Sequence, residues 1–156
     1  MAKTKKIRLD CNDCEPINIG LIRLKHPIPA HLFFFKINRY TAFPFYRIEN
    51  FMTRNAAIEY EFLCMQAQDE KSENIYQIIA NKSFVKRNNT ALNLFEGVAD
   101  QSYLLEDYQD VDFLIKTKDS YPDFSLILLP ENAIFPIQEY QIQPNELIYQ
   151  YIQENE

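Results

Sequence analysis

The stretch Ile17-Asn18-Ile19-Gly20-Leu21-Ile22-Arg23-Leu24 decides how the rest of the chain is read. A strand turns successive side chains to opposite faces. Ile17, Ile19 and Leu21 therefore share one face, and Gly20, Ile22 and Leu24 share the other. Apolar residues on both faces predict a strand covered on both sides for part of its length.

Working outward, His26-Pro27-Ile28-Pro29 breaks that strand and opens a helix over residues 30–40, with Pro29 suited to a first helical turn. Leu32, Phe35 and Asn38, with Phe34, Ile37 and Thr41, give a wide apolar stripe, and Lys36 and Arg39 fall on the remaining face. Pro44 ends the helix. From residue 57 the period changes to two: Ile58, Tyr60, Phe62 and Cys64 alternate with Glu59, Glu61 and Leu63. Residues 75–80 repeat that pattern after a polar turn, so the two segments read as a hairpin.

Residues 83–103 are expected to form a surface excursion, residues 111–116 a strand and residues 121–129 a short helix. Residues 134–142 read as a last extended segment with a bulge at Gln138-Glu139. At the other end, residues 6–9 read as a short edge strand. Residues 1–5 and 153–156 are expected to fray. This order predicts one α+β domain over residues 1–156: a single antiparallel sheet with helices packed on one face, in a ferredoxin-like arrangement.

A chain of 156 residues buries roughly 68–70% of its unfolded surface without help from a disulfide or metal. With 47% apolar and 14% aromatic residues, it is not of the disordered class. The net charge of −6, with cations scattered except at residues 3–6 and Lys86-Arg87, argues against nucleic-acid binding. Only two glycines occur, Gly20 and Gly97, so no Gly-rich phosphate loop is present. Neither an export signal nor an apolar run of about 20 residues is visible, which predicts a cytoplasmic protein with no membrane span and with reduced thiols.

Cys11-Asn12-Asp13-Cys14 has the spacing of half a zinc site. The other soft ligands are Cys64, His26 and His31, and none of them makes a second short-spaced pair. Cys11, Cys14, His26 and His31 fail as a set, because the intervening strand carries His26 roughly 30 Å away at about 3.3 Å per residue. A redox couple needs a helix N-terminus, whereas this pair precedes a strand beside Asp10, Asp13 and Glu15. No GxSxG elbow accompanies the two histidines. The carboxylates of Glu106, Asp107, Asp110 and Asp112 read as solvated loop residues rather than an acid–base pair. Residues 33–35 and 40–46 supply aromatic core, with some rings left facing outward. No metal, no cofactor and no catalytic residue is therefore expected.

Residues 105–113 read Leu-Glu-Asp-Tyr-Gln-Asp-Val-Asp-Phe. That segment resembles the motif of the IPExxxVDY family of small bacterial proteins. Val111-Asp112 matches outright, Leu105, Asp107 and Phe113 are conservative replacements, and Glu106 stands where the family has Pro. Residues 17–24, 32–38, 80–83 and 140–144 are similar in the same order. The resemblance implies a small cytosolic protein without an assigned enzymatic activity, and it carries no catalytic residues over. It directs attention to Asn81, Asp107, Val111, Asp112 and Phe113, whose plainer reading is turn and strand-end hydrogen bonding. The expected function is non-catalytic, through a protein partner or a homodimer. The alternative is a small-molecule-sensing domain with its ligand at a sheet edge or dimer seam.

Overall fold

The computed structural model describes residues 14–41, 43–55, 58–84, 101–119, 122–124 and 132–156. The stretch that opens the argument is strand β1 (Ile17–Ile22), and it lies inside the sheet between two later strands, β7 (Phe113–Thr117) and β8 (Gln138–Ile142). Helix α1 (Ala30–Tyr40) follows, then β2 (Tyr46–Arg47), β3 (Phe51–Asn55), β4 (Ile58–Phe62), β5 (Cys64–Asp69) and β6 (Asn74–Ala80). Helix α2 (Leu147–Glu154) closes the chain. One sheet has the order β2-β5-β6-β7-β1-β8, and β3 with β4 forms a separate two-stranded sheet. Every pairing is antiparallel, so the class is α+β. Its strands β8-β1-β7-β6 follow the order of a ferredoxin-like sheet, and β5 and β2 extend it.

The alternation in β1 sorts the protein into two cores. Ile19 and Leu21 pack with Ile79, Leu114 and Ile142, under Ile148, Tyr149 and Ile152 of α2. Ile22 packs with Ile78, Phe113 and Ile115, under Phe33, Phe34 and Ile37 of α1. The two helices therefore cover opposite faces, which corrects the expectation of helices on one face. Phe124, Ala133, Ile134 and Ile137, from the described parts of the β7–β8 connection, lie with α1. On the α2 side, the β3–β4 hairpin contributes Phe51 and Phe62.

Helix α1 has the expected bounds but a different buried stripe. Phe33, Phe34 and Ile37 are buried, whereas Leu32 and Phe35 are 44% and 61% exposed. Pro29 supplies the first carbonyl, and Thr41 closes the end by donating from its backbone N–H and its hydroxyl to Ile37 O. Asn38 fixes the exit: its Oδ1 accepts from Phe45 N at 2.7 Å and its Nδ2 donates to Phe45 O at 3.1 Å.

The period-two run from residue 57 is broken at Leu63 into β4 and β5, which pair in different sheets. Leu63 O accepts from Ala80 N instead, so the chain changes partners there without a turn residue to announce it. A hairpin forms around the expected turn, but its first strand is β5 rather than the alternating run of residues 58–62; Glu73 takes φ 56° in its turn, and Asp69 accepts from Lys71 N and the Ser72 hydroxyl. The bulge expected at residues 138–139 is absent, because β8 pairs with β1 without interruption from Gln138 to Ile142. Residues 153–154 belong to α2 rather than a frayed tail. Asn155 bonds Met52 through both its amide atoms, and Glu156 pairs with Lys116 at 2.6 Å. The edge strand expected at residues 6–9 lies outside the described residues, as do most of the excursion expected at 83–103 and of the helix expected at 121–129.

Candidate functional site

Residues 104–112 lead into β7 and are held from beneath by one side chain. Asn81 ends β6 and is fully buried. Its Oδ1 accepts from Leu105 N at 2.9 Å, and its Nδ2 donates to Tyr108 O at 2.9 Å and to Val111 O at 3.0 Å. Its backbone N–H donates to Asp112 O, and its carbonyl accepts from Leu104 N. Asn is suited to this position because a single amide offers two donors and an acceptor in one plane. The loop therefore satisfies its backbone through a side chain, as a buried backbone requires.

Val111 is buried in the α2-side core, and Phe113 stacks on Phe33 in the other core with centroids 4.8 Å apart. Asp112 Oδ2 accepts from Leu24 N at 2.7 Å, and Asp112 N donates to Ile22 O. Burial pushes the Asp112 carboxyl above its ordinary range, opposed by the Leu24 hydrogen bond and reinforced by Asp110. Asp110 is held below the ordinary range by the Arg23 guanidinium, whose Nε donates to it at 2.6 Å. Asp107 is exposed and makes none of these contacts. Asn81, Val111, Asp112 and Phe113 thus form one structural unit, and Asp107 stands apart from it.

Asp107 belongs instead to a cleft of about 270 Å³ between this loop, α2 and the β3–β4 hairpin. Tyr60, Tyr103, Tyr108, Tyr140 and Tyr151 line it, together with the carboxylates of Glu106, Asp107 and Glu146. Among the described residues, no Lys, Arg or His is in the lining. The tyrosines are fixed. Tyr140 donates its hydroxyl to Glu146 Oε2 at 2.9 Å and meets Tyr108 edge-on at 5.4 Å, while Tyr151 donates to Arg54 O at 3.0 Å. Glu146 is itself held, since its Oε1 accepts from Gln143 N at 2.9 Å.

Burial pushes the Tyr140 hydroxyl up to about 12, and Glu146, Tyr108 and Asp107 add to the shift. Tyr151 is also raised, by burial first and then by Glu154 and Glu106. Carboxylates on both walls therefore act on the phenols between them. Neither Glu106 nor Asp107 has an ion-pair or hydrogen-bond partner among the described residues. Sequence reasoning passed over this cleft because its tyrosines are scattered from position 60 to position 151. No local spacing marks them.

The other sequence candidates do not assemble. Cys14 is disulfide-bonded, which corrects the expectation of reduced thiols at that position, and Cys11 lies outside the described residues. Cys64 is free and buried. His31 sits exposed on α1, and His26 lies on the loop before it. No three His, Cys, Asp or Glu side chains among the described residues are placed to hold a metal ion. No helix among the described residues is long and apolar enough to cross a membrane. Compared with known proteins, the chain matches no family model, no curated protein and no solved structure.

Proposed function

We propose that this domain is a non-catalytic recognition module whose tyrosine-lined cleft receives a cationic side chain, Lys or Arg, of a protein partner. The observation that carries the reading is the lining: five tyrosines and three carboxylates, with no cation among its described residues. The face of an aromatic ring attracts a cation by about 0.5–1 kcal/mol when exposed and about 2 kcal/mol when desolvated. The rim already contains one such pair, since Lys82 Nζ lies 5.9 Å from the Tyr103 ring centroid. The cleft sits just below the roughly 300 Å³ at which ligand pockets begin, a size suited to one side chain.

A non-catalytic role fits the same geometry. Among the described residues of the cleft, Ser102 and Thr53 carry the aliphatic hydroxyls, and no histidine accompanies either. Of residues 105–113, which carry the motif resembling the IPExxxVDY family, Leu105 and Tyr108 wall the cleft in this reading while Glu106 and Asp107 face the ligand. The concavity also favours a second reading, a sensor of small free amines.

Titration of the isotope-labelled chain by nuclear magnetic resonance separates these outcomes, using capped arginine amide, capped lysine amide and putrescine. Saturable shifts at residues 102–108 and 140–151, lost in Glu106→Gln/Asp107→Asn, support a cation site. A response to the capped amino acids favours the partner reading, and a response to putrescine alone favours the amine sensor. No saturable response to any of the three overturns the proposal.

A further inference from the structure

On the opposite face of the sheet a second concavity has the opposite charge. The ladder of β1 continues past Ile22 as a bridge between Leu24 and Ile134, with Lys25 N donating to Ala133 O at 2.9 Å and Phe135 N to Arg23 O at 3.0 Å. That ladder brings His26 and Asn132 to neighbouring ends of two segments. The C-terminal half of α1 adds Lys36, Arg39 and Tyr40, and together they line a concavity of about 450 Å³ floored by Ile28 and Ala133.

Among the described residues, no acidic side chain is in this lining. Elsewhere, Arg23, Arg54 and Lys116 pair with Asp110, Glu59 and Glu156. Lys36 and His26 have no such partner among the described residues, and Arg39 engages only the Phe35 ring, 5.9 Å from its centroid. A guanidinium held near a ring in this way keeps N–H groups free to donate. Basic residues late in a helix often serve its free carbonyls. Here, however, Thr41 caps Ile37 O twice, so that role is already partly filled. Three cationic or protonatable groups converging in a chain of net charge −6 concentrate positive potential against the prevailing field.

We infer that this concavity binds a small, multiply charged oxyanion: Arg39 presents a two-pronged donor edge, Lys36 a point charge, and Asn132 and Tyr40 neutral donors. Its size suits a phosphorylated or polycarboxylate molecule. The site is independent of the tyrosine cleft, since the two share no residue and lie on opposite faces.

The test is a titration of the full chain with pyrophosphate and, separately, with citrate at low ionic strength, read residue by residue. The expected result is saturable shifts at residues 26–28, 36–40 and 132–133, with affinity reduced at least about tenfold in Arg39→Gln. Lys118→Gln, which removes an exposed cation elsewhere, leaves the affinity unchanged. Pyrophosphate alone, citrate alone or both in binding support the site and identify its class. Shifts scattered over the surface, an equal loss in Lys118→Gln, or no saturable response to either anion overturns it. Both side chains changed, Arg39 and the control Lys118, are exposed, so folding is preserved, and the resonances of the tyrosine cleft report separately.

Discussion

Asn81 Nδ2 reaches the carbonyl of Val111 at 3.0 Å across 30 positions of sequence, and this contact joins the end of β6 to the start of β7. With the bonds to Leu105 N and Tyr108 O it makes one buried amide the support of the whole 104–112 loop. Removing the amide leaves the Leu105 N–H and the Val111 carbonyl without partners, while Tyr108 O keeps its bond from Val111 N, at about 1–3 kcal/mol for each group left unsatisfied. Asn81→Ala is expected to destabilise the domain by about 3 kcal/mol or more, measured by urea unfolding. A loss below about 1 kcal/mol would mean that water replaces the amide and that the loop does not depend on it.

Gly20 is where the sheet comes closest to what covers it. A Cβ built there meets Ile115 Cγ2 at 2.6 Å and Ile137 Cγ2 at 2.7 Å, with a Phe124 ring carbon at 3.3 Å. Both nearest atoms belong to branched side chains packed in the α1-side core, which have little room to retreat. Gly20→Ala is expected to cost about 1–3 kcal/mol by overpacking. Ile137→Ala made in that background is expected to cost less than in the wild type, a coupling that a double-mutant cycle measures. Additive costs would refute the crowding.

The sequence was legible where a local rule had no competitor. Both faces of residues 17–24 are apolar, and both faces are covered. Pro29 and Pro44 bracket α1, and the period-two runs mark β4 and β6 as strands, although β4 pairs with β3 and not with β6. Prediction failed where tertiary contact chooses between equal options. Leu32 and Phe35 are as apolar as Phe33 and Phe34, and only the position of the sheet decides which pair is buried. α2 was missed because Ile148, Tyr149 and Ile152 sit in an eight-residue helix without a capping side chain or a basic last turn. Its stability comes from docking, through Tyr149 to Glu15 O, Tyr151 to Arg54 O and Asn155 to Met52. The motif residues were visible by their spacing, but the tyrosine cleft they help to shape was not, since five distant segments build it.

Cys64 lies in the α2-side core, where burial pushes its thiol up to about 11 against the pull of the Lys116 charge. Only the thiolate alkylates, and an unfolded cysteine ionises near about 8.5. At pH 8 native Cys64 is expected to react with iodoacetamide at least about 100-fold more slowly than in urea. Mass spectrometry of timed, quenched samples gives both rates. A native rate within about tenfold of the unfolded one would place Cys64 within reach of solvent.

The last prediction uses the bond between Tyr140 and Glu146. Because the folded hydroxyl titrates at about 12 rather than near 10, folding favours its protonated form. That stabilising contribution is complete below the unfolded pKa and is lost as pH rises from about 10 through about 12. Glu146→Gln keeps an acceptor for the hydroxyl but removes the charge, so the Tyr140 pKa is expected to fall toward 10 without reaching it, burial being the larger cause. The alkaline loss of stability should shrink by the matching amount. Ten tyrosines titrate in this chain, so the phenolate absorbance of Tyr140→Phe is subtracted from that of the parent to isolate one ring. An unchanged midpoint in Glu146→Gln would show that the carboxylate exerts no field on the cleft. It would also remove the electrostatic support for a cation bound there.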